Sequence, residues 1–166
     1  MLSSERFPKV SVFALIALLA CAEESQVPDD ALWYEVNVTG VDTTCGLTEE
    51  QMSSGYTDSF LYAVALDGSS ATLYIEDQVF ASGTVSGCNL DYQTVTIGED
   101  RTEGNLKWQI YGSAKIDGSA GSNACVEGDD AWLGTEYFEI VESEDEAIEV
   151  GCTYNMATTG TLSSAP

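Results

Sequence analysis

The sequence feature that most constrains the fold is the alternation of apolar and polar residues after residue 31. It is clearest in segment 105–116, where polar side chains alternate with an apolar face made of Leu106, Trp108, Ile110, Gly112, Ala114 and Ile116. A period of two is typical of a β-strand that buries one face. The pattern predicts eight strands, at 32–39, 60–66, 71–75, 78–85, 88–97, 105–116, 132–141 and 147–156.

The order of these segments predicts an all-β domain over residues 32–162, followed by a disordered tail at 163–166. Short turns such as Asp67-Gly68 suit hairpins between consecutive strands. Eight strands in sequence order favour a single antiparallel up-and-down barrel, with a β-sandwich as the alternative. After residue 21, the one helical feature predicted is a single turn at 48–52, which Thr48 would cap.

Two strands carry more specific predictions. In the fifth strand the apolar phase shifts, which predicts a β-bulge near Gln93-Thr94. In the eighth strand the alternation predicts five residues that face the core, namely Ile148, Val150, Cys152, Tyr154 and Met156.

The N-terminus has the parts of a secretory signal. Arg6 and Lys9 precede an apolar run that ends at Ala20-Cys21, and a basic start, an apolar segment and a small residue at the cut define such signals. The run is shorter than the roughly 20 apolar residues that a membrane-spanning helix needs. We therefore expect a signal helix over residues 1–21 and a polar tether over 22–31.

The segment Leu18-Leu19-Ala20-Cys21 resembles the lipobox of bacterial lipoproteins. The resemblance implies that Cys21 carries diacylglycerol, becomes the first residue of the mature chain and anchors it to a membrane. Ala22 stands where an aspartate often marks inner-membrane retention in that family, so the resemblance implies an outer-membrane lipoprotein. An ordinary cleaved signal is the alternative interpretation.

The predicted domain resembles a lipocalin-type barrel at the level of the fold, because it has eight strands and a tryptophan, Trp33, at the start of the first one. Ala31 stands where that family's G-x-W motif has glycine. Small residues beside aromatic ones leave room for a ligand inside a barrel. The residues predicted to face a small apolar ligand are Tyr62, Trp108, Gly112 and Tyr154.

Four cysteines remain after residue 21, and an even count in a secreted chain predicts disulfides. Zinc is disfavoured because no pair has C-x2-C spacing and the chain has no histidine. In an up-and-down barrel the loops alternate between the two ends. Cys88 and Cys125 then share one end, while Cys45 and Cys152 share the other, where the last strand lies beside the first. Because bonded Cα atoms lie within about 7 Å of each other, the predicted pairs are Cys45–Cys152 and Cys88–Cys125.

The chain is strongly acidic. It has 5 basic and 28 acidic residues, and removing Arg6, Lys9 and Glu5 with the signal leaves 3 against 27, a formal charge of −24. Nucleic-acid binding needs clustered basic side chains, so it is excluded. The acids are interpreted as a solvated surface, as adaptation to a saline medium, or as a structural calcium site. Calcium needs several oxygen ligands, and the candidates are Asp117, Glu127, Asp129 and Asp130.

The residue types limit the chemistry. Without histidine the chain cannot build a Ser-His-Asp or Cys-His arrangement, and paired cysteines offer no thiolate. The leading hypothesis is a lipid-anchored, acidic envelope lipoprotein with a non-catalytic binding, adhesion or structural role, and no resident cofactor. A lipocalin-like carrier of a small apolar ligand is the alternative. An enzyme that uses paired carboxylates comes third.

Overall fold

The computed structural model describes residues 26–45, 57–100, 102, 104–118 and 125–166. The predicted signal, Cys21 and the helical turn at 48–52 lie outside these residues. The described residues form nine strands: β1 Leu32–Thr43, β2 Thr57–Asp67, β3 Ser70–Ile75, β4 Gln78–Ser86, β5 Asn89–Thr94, β6 Ile97–Glu99, β7 Leu106–Ile116, β8 Trp132–Ser143 and β9 Thr153–Ser163.

The strands close into the up-and-down barrel that the sequence predicts. Every strand pairs antiparallel with its neighbours; β1 pairs with β9, and β5 with β7. Strand β6 continues the line of β5 along β7, so the barrel has eight strand positions around its wall. In a β-sandwich, each of the two sheets would keep unpaired edge strands, whereas closing the sheet into a barrel removes such edges.

The predicted bulge interrupts the fifth strand position. Gln93 pairs with Tyr111 and Ile97 pairs with Trp108, so four steps on one strand match three on the other. One residue is therefore extra, as in a β-bulge. The hydroxyl of Thr94 accepts the backbone N–H of Ile110 at 2.9 Å, which replaces a ladder hydrogen bond that the bulge removes.

The predicted alternation of faces holds along β1 and β7, whose even-numbered apolar residues point inward. At the centre of the interior, the Trp132 ring lies 5.5 Å from Tyr34, 5.5 Å from Tyr62 and 6.0 Å from Tyr92. Its indole N–H donates to the buried hydroxyl of Thr158 at 3.0 Å. A large aromatic cluster with its polar atoms paired fills this part of the barrel.

The prediction for the last strand was wrong in its bounds. Residues 147–152 form turns, and Val150 is 54% exposed. Gly151 has φ of 84° and donates its N–H to the carbonyl of Ile140 at 2.7 Å, a left-handed conformation that glycine adopts at little cost. Strand β9 starts only at Thr153 and runs to Ser163, which pairs with Trp33. Met156, Thr158 and Gly160 are buried in β9. Of the other residues predicted to face the core, Cys152 is buried, Ile148 and Tyr154 are half-buried against the core, and only Val150 is exposed.

Both disulfides have the predicted pairing and lie at opposite ends of the barrel. We call the end where β1 begins the tether end, and the end where β1 finishes the far end. At the tether end Cys88 bonds Cys125, with Cα atoms 5.6 Å apart. At the far end Cys45 bonds Cys152, with Cα atoms 4.9 Å apart. Each bond joins two segments that lie outside the paired strands.

Candidate functional site

Two of the predicted ligand-facing residues belong to one packed cluster inside the barrel. The Tyr62 hydroxyl donates to Oε1 of Glu136 at 3.1 Å, and the Tyr92 hydroxyl donates to the same oxygen. The Tyr92 ring covers Gly112: a Cβ atom added at Gly112 would lie 2.0 Å from Cζ of Tyr92. The space that the sequence assigned to a ligand beside Gly112 is thus occupied by Tyr92.

The other two predicted residues lie elsewhere in the interior and share a neighbour. The Trp108 ring lies 5.0 Å from Phe138, and Phe138 meets Tyr154 edge to face at 5.7 Å. Trp108 is only 3% exposed, and its indole N–H has no hydrogen-bond partner in the part of the chain that the structure describes. Four predicted interior residues therefore fall into two packed groups rather than around one cavity.

Glu136 is a buried carboxyl that the sequence reasoning missed. It is 3% exposed, and burial raises its pKa, while hydrogen bonds from Tyr92 and Tyr62 partly oppose that shift. Burial and the neighbouring Glu136 raise the pKa of Tyr92 well above its ordinary value. Glu136 shares the even-numbered phase of Trp132, Phe138 and Ile140 in β8, which is the signal that places it inside.

The outer wall carries a second site, which we call the outer groove. It crosses β4, β5, β7 and β8 and has a volume of about 500 Å³. Two rows of outward side chains line it. Register pairing aligns the first row as Ser82, Gln93, Tyr111 and Tyr137, and the second as Thr84, Asp91, Ser113 and Thr135.

The floor of the outer groove follows from strand geometry. Between the two rows lie Gly83, Tyr92, Gly112 and Glu136, which are aligned with one another across the same strands. Side chains alternate between the two faces of a strand, so the side chains of this middle row point into the barrel. The first three line the groove, and they present backbone to its floor.

Two tyrosines form a fixed platform at one side of the outer groove. Tyr111 and Tyr137 are directly paired across strands, and their rings stack with centroids 4.7 Å apart and planes 14° apart. The Tyr111 hydroxyl donates to Oε1 of Gln109 at 2.7 Å, and Nε2 of Gln109 donates to Thr96 at 2.9 Å. Tyr137 remains 40% exposed, so a held ring pair offers surface to a ligand.

The outer groove has little charge, and most of its exposed lining surface is apolar even though many of the lining residues carry a hydroxyl or amide group. Asp91 is the one carboxylate among its lining residues, none of which is basic. Lys107, on the same wall nearer the far end, is paired with Glu142 at 2.7 Å. Burial raises the pKa of Tyr137, and its neighbours Tyr111 and Glu139 add to the shift. Because the ordinary tyrosine pKa is already about 10, the hydroxyl can donate at neutral pH.

The predicted calcium ligands are not gathered into one site by the described residues. Oδ1 of Asp117 accepts the backbone N–H groups of Cys125 and Val126, and its carbonyl accepts the Tyr34 hydroxyl. Glu127 and Asp129 are exposed and Asp130 is half-buried. Over the described ranges, no cluster of three or more acidic or cysteine side chains is placed to hold a metal. The calcium hypothesis stays a prediction.

The fold and these sites define a disulfide-bonded, closed antiparallel barrel with a packed interior around Trp132 and a groove with little charge on its wall. No family model, no curated protein and no solved structure matches the chain. None of the described residues forms a helix long and apolar enough to cross a membrane.

Proposed function

We propose that the protein is a lipid-anchored, non-catalytic binding protein of the cell envelope, and that its outer groove receives the ligand. The observation that carries this proposal is the stacked, hydrogen-bonded pair of Tyr111 and Tyr137 beside a row of small hydroxyl side chains. Rigid aromatic rings with adaptable hydroxyl groups are a common composition of binding surfaces.

Several observations support the envelope location. Disulfides form and persist in oxidising compartments outside the cytoplasm, and this barrel has two. The lipobox-like segment ends at Cys21, and the ten residues from 22 to 31 reach at most about 36 Å when fully extended. In this proposal the tether end faces an outer membrane, and the acidic wall keeps anionic headgroups and nucleic acids at a distance.

The groove supports binding rather than cleavage. Hydrolysis by paired carboxylates needs two acids on either side of the scissile bond, whereas Asp91 is the only acid among the lining residues. Glu136, the row neighbour of Gly112, points into the barrel and is held by two tyrosine hydroxyls. It therefore does not supply a second acid on the outer face.

A lipocalin-like carrier is the second candidate, and one observation favours it. The buried indole N–H of Trp108 lacks a partner among the described residues, and an unpaired buried donor costs about 1–3 kcal/mol. A small ligand inside the barrel would remove that cost by accepting a hydrogen bond there. The packing of Tyr92 over Gly112 argues for the outer groove as the first candidate.

The anchor is tested by replacing the predicted lipidated residue. Cys21→Ala should move the protein from the detergent-extractable membrane fraction to the soluble fraction, because no acyl chain would hold it. Metabolic labelling with a radioactive fatty acid should mark the wild type and not the variant. A variant that stays in the membrane contradicts the lipobox interpretation.

The groove is tested with beads that carry the detergent-solubilised, full-length protein. After incubation with solubilised envelopes of the producing cells, the wild type should retain an envelope component that Tyr137→Ala does not. The matched control is Leu133→Ala, because Leu133 is 49% exposed on the outer face of the same strand and lies outside the groove. Equal retention by both variants contradicts the proposal.

A further inference from the structure

We infer that the outer groove binds a short, neutral segment of a glycan. The inference rests on the proposed function and names the ligand class of that same groove. It starts from size: four neighbouring strands about 4.8 Å apart give a row of roughly 14 Å. The two rows are two residues apart on each strand, about 7 Å. An elongated ligand of a few linked rings fits between them.

The chemistry of the first row matches one face of a sugar. Sugar rings combine an apolar C–H face with hydroxyl groups at the edge, and a tyrosine likewise combines an apolar ring with a polar tip. Tyr111 and Tyr137 both line the groove, and the stacking of their rings holds the two side chains together. The hydrogen bond from Tyr111 to Gln109 fixes this platform before a ligand arrives, which lowers the ordering cost of binding.

The remaining lining residues match the hydroxyl groups. Serine and threonine hydroxyls both donate and accept hydrogen bonds, glutamine does the same with its amide, and an aspartate accepts several. Sugar hydroxyls also both donate and accept. The lining residues with these properties are Ser82, Thr84, Asp91, Gln93, Ser113 and Thr135.

The charge of the groove selects among ligands. A phosphorylated or carboxylated glycan would meet Asp91 without a basic lining side chain to pair with it, and an unpaired charge is costly to desolvate. An extended peptide commonly binds by adding a strand to a sheet edge. The groove lies in the wall of a closed barrel, between strands that are already paired on both sides, so main-chain addition is blocked there.

The experiment titrates full-length protein, kept in a zwitterionic detergent without a sugar headgroup, with neutral linear oligosaccharides of glucose, mannose, galactose and N-acetylglucosamine. Isothermal titration calorimetry at low and high NaCl measures the affinity. We expect at least one series to bind, with an affinity that increases from disaccharide to tetrasaccharide. A neutral ligand should bind equally well at both salt concentrations, because screening acts on charge pairs.

The variants assign the binding to the groove. Tyr137→Ala should weaken binding by about tenfold, the effect of losing one ring contact, while Leu133→Ala should bind like the wild type. If Tyr137→Ala lowers the melting temperature, the affinity is measured instead with Asp91→Asn and Tyr137→Phe, because each alters one hydrogen-bonding group and keeps the shape of the side chain. Weakened binding by either one supports the groove.

Three results would overturn the inference. They are the absence of binding to every neutral series, equal binding by Tyr137→Ala and Leu133→Ala, and binding only of a cationic peptide with an affinity that falls as salt rises. If the envelope component on the beads still depends on Tyr137 while no oligosaccharide binds, the proposed function stands and the glycan assignment is wrong. If neither depends on Tyr137, both are wrong.

Discussion

Removing the Cys45–Cys152 disulfide should destabilise the barrel more than removing Cys88–Cys125. The two bonds join residues 107 and 37 positions apart, and the shorter loop lies inside the longer one. With the inner bond intact, the outer bond closes roughly 70 residues of free chain, the longer separation less the shorter.

The expected magnitudes follow from the entropy of the unfolded chain. The loop-closure relation gives about 4.4 kcal/mol for a loop of roughly 70 residues and about 3.8 kcal/mol for a loop of roughly 37. Cys152 is also buried in the core while its three counterparts are half-buried, so its truncation adds a small cavity cost. A loss of about 4 kcal/mol lowers the melting temperature by roughly 8–16 °C in a domain of this size.

The assay compares two double variants, Cys45→Ala with Cys152→Ala and Cys88→Ala with Cys125→Ala, in urea unfolding under oxidising conditions. Both should unfold at lower urea than the wild type, and the far-end variant at the lowest concentration. An equal or larger loss from the tether-end variant would refute the nested-loop argument. A loss below about 1 kcal/mol in either variant would refute the assignment of a stabilising bond.

Three further predictions concern the interior and the surface charge. Burial raises the pKa of Glu136 in the folded state, so its contribution to stability is present below the ordinary glutamate pKa of about 4.3 and is lost as pH rises through the folded pKa. In urea unfolding, Glu136→Gln should therefore remove the part of the stability decline with pH that Glu136 causes. A stability difference between the two proteins that stays constant across pH would contradict this. Gly112→Ala should lower the free energy of unfolding by about 1–3 kcal/mol because the added Cβ displaces Tyr92. The control Gly98→Ala has nothing within 4 Å of the added Cβ and should be nearly neutral. Equal effects of the two variants in thermal unfolding would contradict the packing argument. The melting temperature should rise from low to molar NaCl as repulsion among the acids is screened, and a flat or falling melting temperature would contradict this. The predicted calcium site at Asp117, Glu127, Asp129 and Asp130 requires a further rise at millimolar calcium, beyond the rise that NaCl of matched ionic strength gives.

The sequence predicts the barrel because strand alternation and turn chemistry are local signals. Leu106 to Ile116 alternate without a break, and the wall of β7 repeats that pattern directly. The disulfide pairing also follows, since an up-and-down order fixes which loops share an end. Neither inference needs the register between strands.

The features that the sequence did not predict depend on contacts between residues far apart in the chain. The alternation predicted a strand through 147–152, where the chain forms turns and Val150 is exposed, although Ile148 still packs against the core. The buried residues of β9 include Thr158 and Gly160, which carry no apolar signal. Thr158 lies on the same face of β9 as Met156, and its buried hydroxyl is paired with the indole N–H of Trp132, 26 residues away. The outer groove is invisible for the same reason: Gln93, Tyr111 and Tyr137 become neighbours only through the register of three strands.

The seam between β1 and β9 joins the strands that are farthest apart in the described sequence. Without residues 153–163 the sheet would have two unpaired edges, which can join other chains, and long-range closure of this kind is slow. Cys45 likewise waits for Cys152 while Cys88 and Cys125 are already present. In an oxidising compartment outside the cytoplasm, the pairing of the eleven-residue strand β9 is therefore the step that ends the unfolded chain's exposure to aggregation and to wrong thiol pairing.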